Sequence, residues 1–184
     1  MFYLEETGTP YAREDFGRQF NNTQTPEYLK LNPNAKVPTL IDGEVVIWES
    51  NTILRYLAAK AGRACYPADL AARSHVERWM DWQLGNLNPV YLFLFRESKL
   101  VAGERSADFA AQVKIMGSEL SILDRRLAES AWLGGESMTV ADMCLGPIVA
   151  RCLRFGVDLP ALENLKRWDA TLGARDAFKR ATAA

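Results

Sequence analysis

The chain changes its hydrophobic pattern near Gly62. Up to that point, short apolar runs alternate with polar, turn-rich segments. Beyond Pro67, apolar residues recur at helical spacing almost to the end. Met1 to Glu6 reads as the last turns of a helix, stopped at Gly8. Tyr11 to Phe16 is a candidate strand, with Pro10 at its entrance, where a missing N–H costs little. A short helical piece is expected at Pro26 to Leu31. Val37 to Ile41 reads as an apolar strand and Glu44 to Trp48 as its return, with Asp42-Gly43 as the hairpin signal between them. Ser50 is placed to cap a helix that carries Ile53, Leu54, Leu57 and Ala58 on one face and closes at Lys60 and Gly62.

A linker is expected over 63–69. It is followed by a long helix from Leu70 to Tyr91, which Pro89 bends or ends. A second long helix runs from Ser106 to Ala128, through Phe109, Val113, Met116, Leu120, Leu123 and Leu127. Thr139-Val140-Ala141-Asp142 has the spacing of a capping box, with Met138 and Met143 at staple positions. The helix that this box opens is apolar nearly all round and belongs in a core, with a bend expected at Pro147. Leu162 to Trp168 and Ala177 to Arg180 read as short closing helices. These patterns divide the chain into a mixed α/β domain over 1–62 and an all-helical domain over 70–184.

Composition narrows the function classes. The 184 residues carry 22 basic and 23 acidic side chains, a net charge of −1. That balance offers no basic face for nucleic acid. No apolar run reaches the roughly 20 residues of a bilayer-spanning helix. The opening MFYLEETG lacks the basic start and apolar centre of a secretory signal. Three cysteines without CxxC spacing read as reduced thiols in a cytoplasmic protein, and Cys144 and Cys152 as small core residues. With one histidine, His75, a zinc cluster is not expected, nor is a serine triad, since no nucleophile elbow accompanies it.

The candidate chemistry lies between Asn32 and Ser50. A proline heading a strand removes a donor from the sheet. If the Val37-Pro38 bond is cis, the chain turns and Val37 presents its N–H and C=O to an extended ligand; if trans, Pro38 simply marks an edge. Ser50 is either a plain cap or one wall of an anion site at a helix start. Glu49 is either a solvated charge or the acceptor for a ligand ammonium. Lys36 is a surface lysine or the partner of a second carboxylate. Together these residues suit a small polar ligand with an α-amino acid head and a second carboxylate.

Two stretches carry a family resemblance. NPNAKVPTLIDGEVVIWESNTILRYLA resembles the glutathione-binding segment of glutathione S-transferases, and TVADMCLGPIVARCLRFG resembles the capping box and buried core helix of their helical domain. The resemblance covers nearly the whole chain. It implies a thioredoxin-like domain followed by an all-helical domain, glutathione as co-substrate without a metal, and a homodimer. It places Val37 against the cysteinyl backbone of glutathione ahead of cis-Pro38. Glu49 and Ser50 then hold the γ-glutamyl head, and Lys36 lies near the glycyl end. The activity implied is conjugation of glutathione to an electrophilic small molecule, with detoxification as the role. A non-catalytic glutathione-binding or scaffold protein is the alternative. Trp79, Trp82, Asn86 and Tyr91 are candidates for the acceptor pocket.

Family members begin with a strand and a helix ahead of the segment that resembles LEETGTPY, and the thiol-activating residue sits where those two meet. The resemblance therefore implies an N-terminally truncated thioredoxin-like domain, with roughly 20 residues of the usual pattern missing before Met1. Met1 is then an internal methionine of a longer protein or the start of a shortened member. No residue of this chain is expected to activate the thiol. The sheet is expected to re-pair its two orphaned edges as three strands, or to take a strand from a partner chain.

Overall fold

The computed structural model describes residues 1–183. The chain enters through a short helix, α1 (Phe2–Thr7), which Gly8 ends at a φ of 62°, where a side chain would be strained. Phe2 and Tyr3 are buried, and Phe2 meets Phe178 edge-on at 5.2 Å. That contact joins α1 to the last helix, α9 (Asp176–Thr182). Two ion pairs, Glu6 with Arg175 and Glu5 with Arg180, reinforce the junction.

Residues 11–16 form no strand, contrary to the pattern at Tyr11 to Phe16. Tyr11 to Asp15 are all exposed. Tyr11 donates its hydroxyl to Glu5 at 2.6 Å, and Arg13 pairs with Asp15 two residues on. Local side-chain bonds of this kind give the backbone no ladder to join. A 3₁₀ turn (Arg18–Phe20) and α2 (Pro26–Leu31) follow, α2 being capped by the Thr25 hydroxyl.

The sheet has two antiparallel strands, β1 (Thr39–Asp42) and β2 (Val45–Trp48), paired Thr39↔Trp48 through Asp42↔Val45. Neither a third strand nor a re-paired edge forms among the described residues. β1 starts at Thr39 because the Val37-Pro38 peptide is cis and turns the chain ahead of it. The turn is Gly43-Glu44, one residue later than Asp42-Gly43. Gly43 has a φ of 62°, and Asp42 stays in the strand. There its carboxylate accepts from Tyr56 at 2.9 Å and pairs with Lys60, tying the hairpin to α3 (Ser50–Lys60).

The helical remainder follows the apolar periodicity closely. The expected helix from Leu70 to Tyr91 is interrupted: α4 (Leu70–Trp82) widens into a π turn (Gln83–Leu87) before α5 (Asn88–Glu97). Pro89 accounts for the interruption. In an α-helix its ring would strike the carbonyl of Gly85, and it supplies no N–H; one wider turn relieves the clash and lets the helix resume. The second long helix, α6 (Phe109–Glu129), starts three residues later than its pattern suggested and buries Met116, Leu120, Leu123 and Leu127. The closing helices are longer than expected, with α8 spanning Glu163–Gly173 and α9 spanning Asp176–Thr182.

At the centre lies α7 (Val140–Cys152), with Pro147 inside it and nine of its thirteen residues buried, as its all-round apolar pattern predicts. Cys152 is fully buried there. The capping box forms with both reciprocal bonds. Asp142 does more than cap. Its carboxylate accepts from the Thr139 N–H (2.8 Å) and hydroxyl (3.0 Å), the Leu133 N–H (2.9 Å) and the Trp168 indole N–H (3.0 Å). Burial pushes this carboxyl above its ordinary range, and the four donors counter part of that shift.

Candidate functional site

The loop from Lys36 to Pro38 is held from behind. The Tyr28 hydroxyl and the Asn32 side-chain amide each donate to the Lys36 carbonyl at 2.7 Å. Both groups also reach the Thr39 hydroxyl, at 3.0 and 3.3 Å. Tyr28 and Asn32 are buried, and Phe16 stacks on the Tyr28 ring at 4.8 Å. At Gly17 a side chain would meet the Val37 methyls at 3.4 Å, so the chain passes close beneath the loop. With its rear satisfied, the loop turns Lys36, Val37 and Pro38 outward, all three exposed. Among the described residues Val37 makes no main-chain hydrogen bond.

Glu49 and Ser50 lie at the same end of the hairpin. Thr39 pairs with Trp48, so the residue before Thr39 and the residue after Trp48 are neighbours across the ladder. The expected cap assignment shifts by one: Glu49 is the N-cap of α3 and Ser50 its first residue. Glu49 adopts a φ of 72° and a ψ of 116°, a conformation that costs a non-glycine residue about 1–3 kcal/mol. Its carbonyl accepts from the Ile53 N–H at 3.0 Å, and no side-chain bond caps the helix. Glu49 and Ser50 are therefore exposed together at a helix start that no side chain caps. Asn51, the next residue, is buried.

The four aromatic and amide candidates do not gather into one cavity. Trp79 and Trp82 contact each other edge-on at 5.8 Å and are half-buried. Asn86 lies exposed in the π turn. Tyr91 is buried in a separate stack with Phe95 (5.8 Å) and Phe155 (6.0 Å), and Arg151 donates to its hydroxyl at 3.1 Å. At 3.6 residues per turn, Tyr91 already falls on a different face from Trp79 and Trp82. Two surface depressions, between Gly117 and Pro160 and beside Trp132 and Arg167, share no residue with the loop or with these side chains. No His, Cys, Asp and Glu cluster suited to a metal occurs among the described residues, and no described helix is long and apolar enough to cross a membrane.

Tyr28, Asn32 and Asn51 were not singled out by the sequence pattern. Tyr28 and Asn32 sit among turn-forming residues, where polarity reads as exposure. Asn51 lies inside an apolar-periodic helix, and its position directly after Ser50 is the signal that could have flagged it.

A hairpin with an anchored loop and a helix start at one end is followed by a helical domain built on a capping box. Residues 1–59 match the glutathione S-transferase N-terminal domain and residues 87–176 the C-terminal domain. The chain is 33% identical to glutathione S-transferase GstB of Escherichia coli strain K12, covering 98% of this chain and 89% of that protein. It is 30% identical to the disulfide-bond oxidoreductase YfcG of the same strain, covering 97% and 86%. The theta class glutathione S-transferase of Xanthomonas axonopodis pv. citri, solved with glutathione bound, matches with a TM-score of 0.93 at 36% identity, covering 100% of this chain and 89% of that one. The chain belongs to the glutathione S-transferase family.

Proposed function

We propose that the chain binds glutathione across the end of the hairpin and conjugates it to an electrophilic small molecule. The observation that carries the reading is the Thr39↔Trp48 register, which sets the outward-facing Lys36–Pro38 loop beside Glu49 and the open first turn of α3. In this reading the cysteinyl N–H and C=O of glutathione pair with the Val37 main chain, as an added strand would. The γ-glutamyl carboxylate sits on the Ser50 hydroxyl and the free N–H groups behind it, and the Glu49 carboxylate accepts from the ammonium. Lys36 meets the glycyl carboxylate. The thiolate then forms a bond to an electrophilic carbon, whose leaving group departs with the displaced electron pair. No residue of the chain is assigned to thiol activation.

Trp79 and Trp82, with Asn86 at the π turn, are the favoured wall of an acceptor site, while Tyr91 belongs to the separate stack with Phe95 and Phe155. A homodimer working in the cytoplasm is part of the same reading. Retention on immobilised glutathione, elution by free glutathione, and turnover of a chlorinated aromatic acceptor are the expected results. Retention without turnover favours the non-catalytic binding protein. If the chain is neither retained nor active, the reading fails.

A further inference from the structure

Asn51 is a buried polar residue at a point where α3 could have carried another aliphatic side chain. Its carboxamide bonds to the helical domain through both its nitrogen and its oxygen. The amide nitrogen donates to the Met80 carbonyl of α4 at 3.0 Å, and the amide oxygen accepts from the Cys144 thiol of α7 at 3.0 Å. Gln83, the first residue of the π turn and also buried, brings its side-chain oxygen to 3.7 Å from the same thiol. Burial pushes the Cys144 thiol up to about 12, so it remains a protonated donor. One carboxamide on α3 thus bonds to both α4 and α7.

Apolar contacts tolerate a helix sliding or rotating by a fraction of a turn. Two directional hydrogen bonds to different helices do not. Asn51 lies one residue from Ser50 and two from Glu49, whose positive φ is held by no side-chain capping bond. We infer that Asn51 is the positioning residue of the glutathione site: it locks the first turn of α3 to the Met80 carbonyl, and so holds the Glu49 and Ser50 backbone in its ligand-accepting geometry. This inference rests on the glutathione reading above.

The test uses the full chain with two substitutions. Asn51→Leu keeps the branching and the number of heavy atoms and removes both bonds; Cys144→Ala removes the thiol alone. Glutathione affinity is measured by calorimetry at a temperature where circular dichroism shows each protein folded. A residue that serves stability alone lowers the melting temperature and leaves the affinity of the folded protein unchanged. The expected result is a fivefold to tenfold weaker affinity in Asn51→Leu, a matching rise in KM for glutathione, and an unchanged KM for the acceptor. Cys144→Ala is expected to stay within twofold of the parent. If Asn51→Leu does not fold, Asn51→Asp keeps the shape while turning an acceptor toward Met80, and the same loss is expected of it. Affinity within twofold of the parent in the folded Asn51 variant overturns the inference and leaves the glutathione reading intact. An equal loss in Cys144→Ala overturns it too, by placing the anchor on the thiol. A parent chain that does not bind glutathione removes both.

Discussion

Replacing Asp142 by alanine is expected to destabilise the protein by about 3–5 kcal/mol, because several buried donors lose their acceptor at once. The side chain is fully buried, and its two oxygens take four donors from three segments. Alanine leaves the Leu133 and Thr139 N–H groups and the Trp168 indole without acceptors in a site closed to water. Each buried orphan costs about 1–3 kcal/mol. At about 2–4 °C per kcal/mol for a chain of this length, the melting temperature falls by roughly 6–20 °C. Thermal and urea denaturation both read the loss. A shift equivalent to less than about 1 kcal/mol would show that water or a rearranged loop replaces the carboxylate.

The second large effect falls on binding rather than stability. Glu49 and Ser50 are exposed, so Glu49→Gln and Ser50→Ala should leave the fold in place. Each removes one charge-assisted contact to the amino-acid head of glutathione, worth about 1.5–3 kcal/mol. That corresponds to roughly tenfold to 150-fold in Kd for each variant. The double variant should flow through a glutathione column that retains the parent. Equal retention of parent and double variant would remove these residues from the site.

What could be read from the chain followed the range of the interactions. The capping box spans Thr139 to Asp142, and α7 announces its burial through composition alone, so both were legible. The partners that make Asp142 matter, Leu133 and Trp168, come from segments that no local pattern connects. The hairpin was legible as a hairpin. Its turn moved by one residue because Asp42 is held by Tyr56 and Lys60, which a turn signal does not register. Tyr11 to Phe16 had a strand's composition, but a strand exists only with a partner, and none pairs with it among the described residues. Pro89 signalled an interruption of the long helix but not that one wider turn would absorb it.

The site candidates show the same division. Val37, Glu49 and Ser50 sit in a continuous stretch and could be found by reading along it. Tyr28, Asn32 and Asn51 act by filling hydrogen bonds in the interior, and polar residues there look like surface until the fold is known. The aromatic candidates followed from the expected helical-domain pocket, and Tyr91 packs instead in the stack with Phe95 and Phe155.

The two-stranded hairpin has a consequence for how the cradle behaves in time. An isolated hairpin is marginally stable, and this one is tied down by Asp42 to α3 and by Thr39 to Tyr28 and Asn32. The loop and the strand ends therefore belong to the part of the molecule that opens first, while α6, α7 and α8 stay closed. Ligand affinity is then scaled by the fraction of time the hairpin is shut. Faster hydrogen exchange at the Leu40 and Ile47 amides than at Leu123 and Val149 is the expected sign, and equal rates would make the molecule a single cooperative unit. Stabilising the hairpin would tighten binding without adding a contact to the ligand.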